Sequence, residues 1–66
     1  MSPDKLAYMA NQIGKFFAHQ PHDKAVAAIA DHIDKFWDPR MRSGILSSLN
    51  EVQLDPLVRE AVERIR

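Results

Sequence analysis

The chain has 66 residues, no cysteine, and nine basic residues balanced by nine acidic ones. Its size allows one domain over residues 1–66 with a limited core, because so short a chain hides only about 60% of its unfolded surface. The composition excludes a disulfide or thiolate-zinc staple, and zero net charge argues against general phosphate-backbone binding and against a peripheral membrane helix, both of which use a basic excess.

Ser2-Pro3 opens the first element. A capping oxygen directly before a proline starts a helix well, since Pro at the first helical position lacks only a hydrogen that would go unused. The spacing predicts a helix over 3–19, with Leu6, Met9, Ala10, Ile13, Phe16 and Phe17 on one stripe. Gln20-Pro21-His22-Asp23 breaks the chain, and a second helix follows over 22–37 with Val26, Ile29, Ala30, Ile33, Phe36 and Trp37 at the same offsets. The segments 6–17 and 26–37 are identical at five of twelve positions: Ala7/Ala27, Ala10/Ala30, Ile13/Ile33, Lys15/Lys35 and Phe16/Phe36. Two copies are too few for a solenoid, so the pair reads as a pseudo-symmetric antiparallel helix hairpin.

Asp38-Pro39 starts a third helix over 39–49, with Met41, Ile45 and Leu49 on a narrow stripe and Leu46 to one side. Asn50 is its expected left-handed stop. Asp55-Pro56 starts a fourth over 56–65, grouping Val58, Ala61, Val62 and Ile65, with Leu57 at the border. Short connections favour adjacent helices. The expected fold is therefore all-α, a compact bundle of about four short helices, with the two longer ones first. A lone core of this size supplies roughly 3–5 kcal/mol, and with no cysteine staple, binding to a partner is the remaining common way to stabilise it.

Chemistry is sparse. His19 and His22 are separated by Pro21, which breaks the face they would share, and His32 has no histidine at the spacing of a helical zinc pair. All three read as solvated surface histidines. The carboxylates sit at helix starts and on polar faces, with Asp38 and Asp55 in capping positions. Two glycines cannot build a phosphate-cradling loop, and no nucleophile has a base and an orienting group. The chain is thus expected to be no enzyme and to hold no catalytic, cofactor or metal site. Gly14 lies mid-helix at the flank of the stripe; close approach of a neighbouring helix or of a partner's backbone, and a tolerated surface glycine, both account for it.

The segment Phe36-Trp37-Asp38-Pro39-Arg40-Met41-Arg42 concentrates aromatics, arginines and a methionine around one corner. Trp, Arg and Met are enriched in interfaces. Trp37, Asp38, Arg40, Met41 and Arg42 are therefore the partner-binding candidates, while Phe36 and Pro39 read as core and junction. Arg40 and Arg42 suit a partner carboxylate or phosphate. Tyr8, on the polar face of the first helix with Lys15 and His19, is a further candidate.

Met9-Ala10-Asn11-Gln12-Ile13-Gly14 with Phe16-Phe17, then Ile29-Ala30-Asp31-His32-Ile33, then Lys35-Phe36-Trp37-Asp38-Pro39-Arg40-Met41-Arg42, and finally Leu54-Asp55-Pro56-Leu57-Val58 run in order through nearly the whole chain. In these strings it resembles the delta subunit of soluble NAD-dependent formate dehydrogenases. One departure is that Ser47 to Gln53 is compact, without the Gly-rich insertion of some relatives. The resemblance implies a cytoplasmic complex that oxidises formate to carbon dioxide and passes electrons to NAD. In such a complex the large catalytic subunit carries a molybdenum or tungsten bis-pterin and iron–sulfur clusters, and another subunit carries flavin. This chain would be the small non-catalytic member, binding the large subunit and associated with holoenzyme assembly or stability. Without cysteine it lacks the usual cluster ligands.

Two other readings stay open at this point. A helix-turn-helix nucleic-acid binder would use the corner between the second and third helices, but only Lys35, Arg40 and Arg42 lie near it. A self-associating helical module, including a homodimer of the isolated subunit, is compatible with the first reading. No apolar run approaches the ~18 residues of a membrane span. Met1 to Lys5 shows no secretory signal, so the cytoplasm is the expected location.

Overall fold

The punctuation read from the sequence becomes four helices: α1 (Pro3–Phe17), α2 (His22–Phe36), α3 (Pro39–Ser47) and α4 (Pro56–Arg64). They are seen in a computed structural model that describes residues 1–65, and among these there is no strand. Three of the four helices carry proline at the start of the first turn. Ser2 Oγ accepts from the Lys5 N–H at 3.2 Å, and Asp38 Oδ1 accepts from the Met41 N–H at 2.8 Å. Asp55 departs from its expected role, because its side chain makes no capping bond. Its backbone N–H instead donates to Asn11 Oδ1 at 2.9 Å.

The helix ends come earlier than periodicity predicts. α1 stops at Phe17, where the Gln20 N–H donates to the Phe17 carbonyl at 3.1 Å and tightens the last turn. α3 stops at Ser47, two residues short of Leu49. Asn50 is not a left-handed stop, since no described residue other than glycine has a positive φ. The Ser48 carbonyl accepts from both Glu51 and Val52 N–H groups, so the chain leaves α3 through right-handed turns that need no left-handed residue.

The core is built from every helix: Leu6, Ala7 and Ala10 of α1, Val26, Ile29, Ala30 and Ile33 of α2, Ile45 of α3, Val58, Ala61 and Val62 of α4, and Trp37 from the α2–α3 corner. α1 and α2 pack on each other, but the most extensive packing of α2 is against α4. Small residues bring α1 close to the rest. A Cβ placed on Gly14 would run into the Val58 methyl of α4, which settles the two readings of Gly14 in favour of close approach. The radius of gyration is 10.5 Å, against about 11 Å expected for a compact chain of this length. None of the helices is long and apolar enough to cross a membrane.

Candidate functional site

The Trp37–Arg42 corner forms because α2 cannot continue into Asp38-Pro39. Trp37 leaves the helix in an extended conformation, and its N–H still reaches the Ile33 carbonyl. The indole lies inward and is only 5% exposed. Trp37 fits both the apolar stripe of the second helix and the set of partner-binding candidates; its burial makes it a core residue. Met41 is half-buried against the same core, and Asp38 is committed to capping α3. Arg42 reaches back across the corner and donates from Nη1 to the Asp34 carbonyl at 3.1 Å and the Trp37 carbonyl at 2.6 Å. These are carbonyls that the end of α2 leaves without intrahelical donors, so Arg42 ties α3 to α2. Arg40 differs: it is exposed, and its side chain enters none of the hydrogen bonds or ion pairs among the described residues. Tyr8 is 65% exposed, with its hydroxyl accepting from Gln12 Nε2 at 2.8 Å.

A second surface was not legible in the sequence. Phe16 and Phe36 were expected in the core, yet they are 71% and 73% exposed. The reason is geometric. At about 100° per residue, the tenth residue after the start of the stripe lies roughly 80° round from it, whereas the eleventh returns to within about 20°. Phe17 and Trp37 are those eleventh residues and turn inward; Phe16 and Phe36 are the tenth and stay on the flank. Between them run Phe17 and His32. Phe16 meets Phe17 edge-to-face with centroids 5.0 Å apart, Phe17 lies 6.3 Å from His32, and His32 lies 4.8 Å from Phe36. Four rings from two helices thus make one continuous strip.

Elsewhere the surface offers little chemistry. A shallow apolar recess between α1 and the start of α4 is lined by Gly14, Lys15, Ala18, Asp55, Pro56, Leu57 and Val58. His22 Nε2 lies 3.0 Å from Glu60 Oε1, an exposed contact between the start of α2 and α4. Among the described residues no three His, Cys, Asp or Glu side chains gather as metal ligands would.

Residues the sequence reading passed over hold the α3–α4 connection. Asn11 donates from Nδ2 to the Gln53 carbonyl at 3.0 Å while its Oδ1 receives the Asp55 N–H. Arg59 of α4 donates to the Leu49 carbonyl at 2.8 Å. Asn11 and Gly14 both belong to the Met9–Gly14 string, and each acts on residues just before or within α4. A family model, that of the NADH-dependent formate dehydrogenase delta subunit FdsD, matches residues 5–62. The chain belongs to the FdsD family. The match runs through all four helices, so the corner, the aromatic strip and the Asn11 clamp all lie inside the FdsD region. No curated protein and no solved structure matches the chain. As a member of FdsD it is a delta subunit of formate dehydrogenase, an accessory subunit of that enzyme.

Proposed function

We propose that this delta subunit docks on the large catalytic subunit of a cytoplasmic NAD-dependent formate dehydrogenase and stabilises its assembled, cofactor-loaded form. The observation that carries the reading is the pair of phenylalanines left in water by a chain of this family. Contiguous exposed aromatic surface marks binding sites more than it marks ordinary solvated surface. Mass action supplies the mechanism, because a partner that binds only the folded, loaded state stabilises it by about 2.7 kcal/mol when present at about a hundred times its Kd. The molybdenum or tungsten bis-pterin, clusters and flavin belong in this reading to other subunits, and this chain contributes no step of the reaction. Arg40 is the corner residue whose guanidinium can meet a carboxylate or phosphate of that subunit.

Co-purification of the tagged chain from its native cells, with mass spectrometry and metal analysis, tests this. The expected companion is a large iron–sulfur protein containing molybdenum or tungsten, and deleting the chain should lower the metal content of that enzyme. Recovery of the chain alone, or with nucleic acid, would overturn the reading.

A further inference from the structure

We draw no further inference here: the strongest candidate, the aromatic strip of Phe16, Phe17, His32 and Phe36 along α1 and α2, is an unpartnered apolar face, and nothing in the structure shows what covers it.

Discussion

Gly14 lets α1 approach Val58 of α4 closely. Replacing it by alanine would remove the roughly 1 kcal/mol helical disadvantage of glycine, but the new methyl would meet Val58 head-on. Both groups are buried and neither is the end of a flexible side chain, so overpacking at about 1–3 kcal/mol outweighs the propensity gain. Gly14→Ala is therefore expected to lower stability in urea by about 1 kcal/mol. Val58→Ala in the same chain should recover part of that loss, so that the double variant is more stable than the sum of the single changes requires. Additive losses would show that α1 and α4 do not meet there as described. Asn11 is the other residue whose meaning depends on a distant one, for its bond to Asp55 spans 44 positions. A side chain that joins two segments so far apart leaves no trace in local periodicity. Asn11 was legible only as a letter in the string that carried the family resemblance. Asn11→Ala should cost about 1 kcal/mol and speed amide hydrogen exchange at Asp55, whereas exchange at Lys5, capped within its own turn, should not change.

At the scale of elements, the helix starts were legible because their causes are local. A capping oxygen, a proline and an amphipathic stripe all lie within one turn of the boundary. The ends were less so, because Phe17 and Ser47 are followed by residues that fit the pattern and are stopped by turn bonds formed only in the folded chain. The same distinction separates two helix starts that look alike. Asp38 bonds the Met41 N–H, while the Asp55 side chain bonds no N–H of α4 and its own backbone is held by Asn11. Asp38→Ala is therefore expected to cost about 1 kcal/mol, and Asp55→Ala only a few tenths, as measured by chemical denaturation. Equal losses would mean that both aspartates cap in solution. Arg42 strengthens the same corner from the other side. Its bonds to the Asp34 carbonyl of α2 and the Trp37 carbonyl just after it explain why an arginine in an interface-like sequence is a staple, while Arg40 is left exposed.

For the whole molecule, the contrast between Trp37 and its neighbour Phe36 decides what the fold needs and what it leaves for others. The folded chain exposes 4360 Å², close to the ~4250 Å² expected of a monomer of its mass. With a core that supplies only roughly 3–5 kcal/mol, one large buried side chain is a major share of the total. Trp37 is 5% exposed and joins α2, α3 and the shared core, whereas Phe36 is 73% exposed one residue earlier. Sequence periodicity gave both residues the same stripe, since a stripe is judged within a tolerance wider than the turn between them. Truncating the tryptophan removes about 3–5 kcal/mol of burial and packing, as much as the whole domain is expected to hold. Trp37→Ala should therefore leave no folded population at 25 °C, visible as lost helical circular dichroism and collapsed amide dispersion. Phe36→Ala should change stability by no more than about 0.5 kcal/mol, as surface substitutions do. If Phe36→Ala instead unfolded the isolated chain, its ring would be covered in solution, and the strip would belong to the core of an oligomer instead of to a docking surface.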